Sequence, residues 1–210
     1  MCFVLPKRYD GAMSNRFDAA AASWDAETRR VQMAQGVRAA LRESLPLTRD
    51  MDVLDFGCGT GLFSLDLRPL VRSLTGVDTS VPMLEVFQAK AREKGLDVAT
   101  HHLADPIELG GPYHLILSSM ALHHVPDLIP IFRAFHKALA HGGSVALADL
   151  DAEDGSFHGP SDDVFHLGFE RRNIMEALAR EGFHDLQERT ATTVEKNGQT
   201  FTLFLITGQA

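Results

Sequence analysis

Short apolar runs alternate with helical patterns from about residue 50 onward, and this alternation limits the fold more than any other feature of the chain. The apolar runs are bounded by turn residues, as buried strands are. They lie at Met51–Phe56, Ser73–Val77, Val98–His102, His114–Ser118 and Ser144–Leu150. Helices are predicted at Gly61–Leu70, Pro82–Lys94, Leu128–Ala140 and Arg171–Arg180. Strands that alternate with helices of this length predict a doubly wound parallel sheet that is covered on both faces.

The two ends of the chain depart from this alternation. Residues 183–192 and 199–206 have strand patterns and flank "EKNGQ", whose Asn-Gly pair favours a hairpin turn. We therefore expect an antiparallel hairpin to close one edge of the sheet. Residues 1–50 carry no strand pattern, and they predict a loop followed by helices around residues 18–45, the last of which ends at Pro46.

Two units are expected on this basis, within a chain whose 210 residues are enough for one substantial core. Residues 1–48 are predicted to form an N-terminal helical cap. Residues 49–210 are predicted to form the core, with a mostly parallel sheet of seven strands that ends in the antiparallel hairpin. The sequence contains no internal repeat and no flexible linker.

The stretch "VLDFGCGTG" places three glycines directly after the first predicted strand. A glycine turn at the carboxyl end of a parallel strand brings backbone N–H groups against a ligand, because glycine tolerates positive φ and has no Cβ. The spacing is GxGxG, and Leu62 stands where a dinucleotide fingerprint has its third glycine. Asp78 ends the second predicted strand, at a distance along the chain where an acid accepts hydrogen bonds from a ribose diol. Together these features predict a nucleoside-bearing ligand.

Composition restricts the partners. The net charge of −8 and the pI near 5.6 disfavour nucleic acid, because a phosphate backbone repels an acidic surface. Cys2 and Cys58 lack the spacing of a disulfide framework or of a metal site. No apolar run approaches the roughly 18 residues of a transmembrane helix, and the opening residues do not have the order of a signal peptide. We expect a cytoplasmic protein that contacts neither membrane nor nucleic acid.

Four motifs in the family's order resemble those of the class I S-adenosylmethionine-dependent methyltransferases. "VLDFGCGTG" resembles the first motif, "LTGVDTS" the second, "HLAD" the acid after strand three, and "YHLILSSMALHHVPD" the fourth. "LAHGGSVALADL" is similar to the turn and the fifth strand that follow. The resemblance covers about residues 50–150. It implies a Rossmann-like core, S-adenosylmethionine as methyl donor and S-adenosylhomocysteine as its product.

The resemblance also implies roles for single residues. Asp55 would support the bound cofactor, Asp78 would take the ribose hydroxyls, and Asp105 would contact the adenine amino group. The complete set of cofactor-binding residues that it implies is Trp24, Asp55, Gly57, Cys58, Gly59, Gly61, Asp78, Thr79, Met83, Ala104, Asp105 and Ser118. The stretch "FDAAAASWD" resembles the helical cap of many small-molecule members. Trp24 either lines the pocket there or anchors the cap in the core.

Histidines are the candidates for acid or base chemistry. His123 and His124 follow strand four, where this family places residues that face the transferred methyl group, and we expect His123 to be the one that points inward. The alternative for both is polar packing at a helix entry. His158 and His166 are second-rank candidates. They belong to an acid-rich and histidine-rich segment after strand five, which we expect to contact the substrate; its spacing matches no EF-hand loop, and no metal is predicted.

The leading hypothesis is a methyltransferase that acts on a small molecule, with the accepting atom left open among O, S, C and N. The chain lacks the Asn/Asp-Pro-Pro-aromatic motif of members that methylate exocyclic amines of bases or a glutamine side chain. One alternative is a protein or RNA methyltransferase. Another is a non-catalytic S-adenosylmethionine-binding protein with a regulatory or scaffold role. A nicotinamide-dependent oxidoreductase is the last, and the GxGxG loop disfavours it. The oligomeric state is left open.

Overall fold

A sheet of seven strands forms the centre of the computed structural model, which describes residues 14–103, 107–159 and 163–210. The strands are β1 Asp52–Phe56, β2 Ser73–Asp78, β3 Ala99–His102, β4 Tyr113–Ser119, β5 Leu139–Leu150, β6 His184–Lys196 and β7 Gln199–Gln209. Their spatial order is β3-β2-β1-β4-β5-β7-β6. Pairing is parallel from β3 to β5, and β7 is antiparallel to both β5 and β6. The predicted mostly parallel sheet with a closing hairpin is confirmed.

Helices cover both faces of this sheet. They are α1 Ser14–Ala20, α2 Thr28–Ser44, α3 Val81–Glu93, α4 Leu128–Ala138 and α5 Arg171–Arg180, with short 3-10 helices at Ala21–Ala26, Leu65–Leu70 and Leu122–His124. Local sequence explains where α3 begins, because the Ser80 hydroxyl accepts a hydrogen bond from the Met83 N–H and Pro82 occupies the first turn. The predicted hairpin, cap helices and C-terminal helix are all present.

One predicted helix is wrong. Residues 61–70 form turns followed by the 3-10 helix Leu65–Leu70, where a regular helix was expected. Gly61 has a φ of +73°, which belongs to a turn, and Pro69 has no N–H to donate to a carbonyl four residues earlier. A regular helix is therefore excluded at both ends of this segment. Likewise, α4 ends at Ala138 and not Ala140, because β5 already begins at Leu139.

Two hydrophobic clusters fill the space on either side of the sheet. Val53 belongs to the cluster beneath α2 and α3, and Leu54 to the cluster beneath α4 and α5, because successive side chains of a strand point to opposite faces. Helix α2 belongs to the first cluster through residues such as Leu41, and it packs against β6 so closely that a Cβ on Gly36 would lie 2.5 Å from Thr192. The predicted unit boundary near residue 48 stays a prediction.

The strand order places a crevice at one edge of the sheet. The chain leaves β1 toward β2 on one side, while β4 lies on the other side, so the winding direction reverses between β1 and β4. Ligands bind outside the carboxyl ends of strands at such a reversal. Helix α1 and the following 3-10 helix lie over this edge, where Asp18 accepts a hydrogen bond from Ser80 (2.6 Å) and Asp25 accepts one from Thr60 (2.6 Å). Within the described residues, no helix has the length and apolar character to cross a bilayer.

Candidate active site

A cavity of about 230 Å³ opens at the carboxyl ends of β1, β2 and β4. Its wall is built by the glycine loop, the cap, the segment after β4, the loop between β5 and α5, and the end of β6. The predicted site residues that line it are Trp24, Asp55, Gly57, Cys58, Gly59, Asp78, Thr79, Met83, His123, His124 and His158. The fold thus brings most of the predicted site residues together.

Three predicted site residues lie behind or beside the cavity wall. Gly61 packs inward, where a Cβ would lie 2.5 Å from the ring of Phe87. Ser118 is buried, and its neighbour Ser119 lines the cavity instead. His166 has its Nε2 atom 2.9 Å from the Val125 carbonyl oxygen. Two further predicted residues, Ala104 and Asp105, lie outside the described residues.

The glycine loop presents backbone to the cavity. Gly57 and Gly59 have φ values of +69° and +51°, which side-chain-bearing residues rarely adopt. A Cβ on Gly57 would lie 2.4 Å from the Cβ of Ala121, so packing alone requires glycine there. A Cβ on Gly59 would meet no described atom within 4 Å. Packing therefore does not explain glycine at position 59; its positive φ does, and the open space leaves the backbone accessible to a ligand.

Asp78 holds this loop in place from the end of β2. One carboxylate oxygen accepts a hydrogen bond from the Gly59 N–H (2.8 Å), and the other accepts one from the Ser80 N–H (2.9 Å). Burial raises the pKa of Asp78 above its ordinary value, and these backbone hydrogen bonds oppose that shift. The carboxylate joins the glycine loop to the start of α3 while it lines the cavity.

Asp55 is a buried acid with an unused hydrogen-bonding atom. Its Oδ2 atom has no hydrogen-bond partner among the described residues. Burial raises the pKa of Asp55 to about 7; the nearby Ser64 hydroxyl opposes the rise, and the charge of Asp78 adds to it. Buried polar atoms are normally paired, so this unpaired oxygen is a candidate hydrogen-bonding position for a ligand.

His123 and Asp149 form a buried pair on the other side of the cavity. The Nδ1 atom of His123 lies 2.7 Å from Asp149 Oδ1, and the side chains are 1% and 0% exposed. Burial raises the pKa of Asp149, but the charge and hydrogen bond of His123 outweigh it, so this pKa lies below its ordinary value. The His123 Nε2 atom has no hydrogen-bond partner among the described residues. The ionised Asp149 therefore orients a ring whose second nitrogen is unpaired.

Two more histidines lie beside this pair. The ring of His124 lies 4.0 Å from that of His123, and the ring of His158 lies 4.5 Å from it, measured between centroids. Burial and the charge of His123 lower the pKa of His124 to about 4 and that of His158 to about 3. Both rings are therefore neutral at pH 7. In the described part of the chain, no group of three or more histidine, cysteine or acidic residues is arranged to hold a metal ion.

The cap closes the cavity with aromatic rings. The ring of Phe17 is nearly perpendicular to that of His124 at 5.0 Å and lies 5.7 Å from that of Trp24, again between centroids. The guanidinium of Arg30 lies 3.7 Å from the Trp24 ring centroid and donates to the Trp24 carbonyl at 3.0 Å. Trp24 therefore lines the cavity with its ring against Arg30, and neither hydrophobic cluster of the described residues includes it.

Sequence reasoning missed several residues of this site. Asp149 is not among the predicted site residues, although an acid at the end of a buried strand is a recognisable signal. Met120 lines the cavity with a φ of +57°, an uncommon backbone conformation that no sequence pattern indicates. Arg29 and Lys196 also line the cavity, and their distance along the chain hid their proximity.

Comparison with known proteins identifies the family. A family model described as a methyltransferase domain matches residues 26–191, which is most of the chain. The chain therefore belongs to the class I S-adenosylmethionine-dependent methyltransferases, as its motifs predicted. The cofactor of this family is S-adenosylmethionine.

Three similar proteins illustrate the relationship. An uncharacterized methyltransferase of Schizosaccharomyces pombe is 32% identical over 130 residues, which cover 56% of this chain and 46% of the relative. A ubiquinone biosynthesis O-methyltransferase of Pseudomonas aeruginosa is 30% identical over 104 residues, which cover 47% of this chain and 44% of the relative. The chain spans about half the length of the curated relatives it matches. The crystal structure of magnesium protoporphyrin IX methyltransferase from Synechocystis, with bound S-adenosylhomocysteine, shares the fold with a TM-score of 0.66 at 20% identity, over 87% of this chain and 84% of that one.

One side of the cavity is formed by residues between Asp55 and Met83, including the glycine loop, and is called the loop side. It fits the family's cofactor. S-adenosylmethionine carries an ammonium group and two ribose hydroxyls, all of which donate hydrogen bonds. Asp55 offers an unpaired buried oxygen, Asp78 offers a carboxylate at the strand end, and Gly59 leaves space for close approach. The donors of the ligand and the acceptors of the cavity are therefore matched.

Proposed function

We propose that this protein transfers a methyl group from S-adenosylmethionine to a small-molecule acceptor, with His123 as the base that takes the acceptor's proton. The observation that carries the proposal is the buried pair of His123 and Asp149 in the cavity wall. The Nε2 atom of His123 has no hydrogen-bond partner among the described residues. A protein that only bound the cofactor has no need of such a pair. The same cavity holds the residues that match the cofactor on its opposite side.

The residues of the loop side bind and orient the donor. Asp78 accepts hydrogen bonds from the ribose hydroxyls, and Asp55 accepts one from the ligand at its unpaired oxygen. Gly57 and Gly59 let the backbone approach. When bound, S-adenosylmethionine supplies a methyl group activated by its positively charged sulfur. Placement of donor and acceptor in reacting geometry can supply about 7–11 kcal/mol of the barrier reduction in favourable systems.

The opposite side of the cavity, which holds His123, His124 and His158, is called the histidine side, and its residues act on the acceptor. His123 accepts the acceptor's proton at Nε2, and Asp149 stabilises the resulting imidazolium through its hydrogen bond to Nδ1. A base is needed only when the acceptor keeps its proton at neutral pH, which favours a hydroxyl or thiol acceptor. His124 and His158 stay neutral at pH 7, so they do not compete with His123 for the proton.

The small-molecule class has support from relatives. The Pseudomonas aeruginosa relative is named as an O-methyltransferase of ubiquinone biosynthesis, so a protein similar over half of this chain acts on an oxygen atom of a small molecule. The acidity of the chain and the enclosure of the cavity by the cap disfavour a protein or RNA acceptor. These points favour a hydroxyl group on a small molecule.

Calorimetry followed by a transfer screen tests the proposal. The protein is titrated with S-adenosylmethionine, S-adenosylhomocysteine, NADH and NADPH in separate experiments. We expect micromolar binding of the first two and none of the nicotinamides. Small phenols, thiols and amines are then offered with a donor labelled in its methyl group, and label must appear in an extractable product. Donor binding with no transfer to any acceptor favours the scaffold alternative, and nicotinamide binding overturns the family-based function.

A further inference from the structure

Four cationic side chains line the cavity, although the chain as a whole carries a net charge of −8. Arg16 lies in α1, Arg29 and Arg30 lie in the first turn of α2, and Lys196 is the last residue of β6. Among the described residues, the carboxylates that line the cavity are Asp55 and Asp78, which belong to the loop side. Overall composition therefore does not explain this local excess of positive charge.

Nearby carboxylates neutralise only part of this charge. Arg16 pairs with Asp163 at 2.9 Å. Glu27 serves two guanidinium groups at once, since it contacts Arg29 and lies 3.1 Å from Arg30 Nη2. One carboxylate thus faces two positive charges at the start of α2.

Lys196 adds a further positive charge, and no carboxylate of the described residues lies within ion-pair distance of it. Its ammonium group donates to the Phe157 carbonyl oxygen and lies 4.8 Å from the Phe157 ring centroid, and it makes no ion pair within the described residues. Burial and the charge of Arg29 lower its pKa. The nearby Glu153 uses one carboxylate oxygen to accept hydrogen bonds from the backbone N–H groups of Gly155 (2.8 Å) and Phe157 (3.0 Å). The ammonium group is therefore held in place and is only partly balanced.

The geometry points to an anionic acceptor, whose negatively charged oxygen group is bound by Lys196 and Arg29. This inference rests on the proposed function, because it assigns the acceptor to the side of the cavity opposite the glycine loop. The donor does not balance the charge, since it carries one carboxylate against a sulfonium and an ammonium group. Arginine and lysine together recognise carboxylate and phosphate groups through charged hydrogen bonds. Phe17 and Phe157, which also line the cavity, supply apolar contacts for the rest of the acceptor.

A cationic wall also influences how such an acceptor arrives. A cleft lined by charges of one sign concentrates ligands of the opposite sign near its mouth. In an acidic protein, the surrounding surface repels an anion while the cleft attracts it. The acceptor we infer is therefore an anionic small molecule with an apolar body and a hydroxyl or thiol group that reaches His123.

A matched pair of fluorescent probes tests this inference without knowledge of the acceptor. The anionic probe is 8-anilinonaphthalene-1-sulfonate, whose sulfonate stands in for the anionic oxygen group, and the neutral probe is N-phenyl-1-naphthylamine. Both are titrated into protein saturated with S-adenosylhomocysteine, so that the cofactor's own carboxylate is already bound. The measured quantity is the ratio of the two dissociation constants, which cancels the apolar contribution that the probes share.

Charge removal at the proposed site must change this ratio. In Lys196→Met and in Arg29→Gln, we expect the sulfonate to lose about five- to tenfold in affinity relative to the neutral probe, because a charged hydrogen bond is lost. Lys196→Arg keeps the charge and is expected to retain the wild-type ratio within about twofold. Lys137→Met and Arg172→Gln remove the same charges at exposed positions outside the cavity and serve as controls.

Each outcome has a defined meaning. A wild-type ratio in both cavity variants, equal changes in the control variants, or the absence of saturable sulfonate binding overturns the anionic acceptor. Calorimetry with S-adenosylhomocysteine tests the donor side independently of the probes. A protein that binds the product but fails the probe test keeps the proposed function and loses the acceptor class. A protein that fails calorimetry loses the proposed function itself.

Discussion

The two sides of the cavity are built in different ways. The loop side comes from one stretch of chain between Asp55 and Met83, and backbone N–H groups, buried carboxylates and glycines form it. The histidine side combines residues from the cap, the segment after β4, the loop after β5 and the end of β6, and side-chain ion pairs and ring contacts hold it together. A site built from backbone geometry is suited to one invariant ligand. A site built from distant side chains can change its ligand without disturbing the first.

The largest expected effect separates catalysis from donor binding. His123→Asn keeps a donor toward Asp149 but removes the base, so turnover is expected to fall about 10²- to 10⁴-fold. The affinity for S-adenosylhomocysteine, measured by calorimetry, is expected to stay within about twofold of wild type because the contacts of the loop side are intact. His141→Asn, at an exposed position outside the cavity, is the control. Unchanged turnover in His123→Asn would contradict the role of His123, and a comparable loss in His124→Asn alone would transfer it to the neighbour.

A pair of glycine variants separates the loop's packing role from its binding role. Gly61→Ala introduces a Cβ 2.5 Å from Phe87 at a φ of +73°, so we expect a loss of roughly 2–4 kcal/mol in the free energy of unfolding by urea. Gly59→Ala meets no described atom within 4 Å, so the loss is about 1–2 kcal/mol, from its positive φ alone.

We expect the affinities of the two glycine variants for S-adenosylhomocysteine to follow the opposite order from their unfolding free energies. Gly59→Ala is expected to weaken binding of S-adenosylhomocysteine more than Gly61→Ala does, once both are measured at a temperature where each protein is folded. Equal effects of the two substitutions on unfolding and on binding would show that the loop has no separate ligand-facing glycine.

Asp78 gives a smaller effect on the same side. Asp78→Ala removes the acceptor at the strand end, and we expect the dissociation constant of S-adenosylhomocysteine to rise about 10- to 100-fold, since hydrogen bonds to charged groups contribute about 1.5–3 kcal/mol. Thermal unfolding of the same variant reports how much of the loss comes from the released Gly59 and Ser80 N–H groups. The control is Asp97→Ala, an exposed acid outside the cavity. Unchanged affinity would place the ribose hydroxyls elsewhere.

Asp55 produces an effect that depends on pH. Its pKa is about 7 in the folded protein and 3.8 without perturbation, so the folded state holds the extra proton and this group makes the protein less stable as pH rises from about 4 to 7. Asp55→Asn removes that dependence. We expect the free energy of unfolding of the variant, minus that of wild type, to be roughly 2–4 kcal/mol larger at pH 8 than at pH 5. Parallel stability curves for the two proteins between these pH values would rule out the buried, proton-holding acid.

The same contrast explains what sequence alone could predict. The parallel sheet, its hairpin and the loop side follow from local patterns, because a buried strand, a glycine turn and an acid at the next strand end are adjacent in sequence. The family resemblance predicted that the segment after the fourth strand, with His123, faces the site, and His123 lines the cavity there. The helix over residues 61–70 was not excluded in advance, although Gly61 and Pro69 carry the physical reason. The partners Asp149 and Lys196 required the fold, because nothing local to His123 or Arg29 indicates them.

The close contact between α2 and β6 has a consequence for the evolution of substrate choice. Arg29 begins α2, Lys196 ends β6, and Gly36 lets these two elements approach one another against Thr192. The spacing of the two cations therefore depends on a helix–strand contact that lies away from the cavity. A larger residue at position 36 pushes the two elements apart and alters the gap that an acceptor must bridge. Related chains can thus diversify in the molecules they modify through substitutions that a survey of cavity residues would overlook.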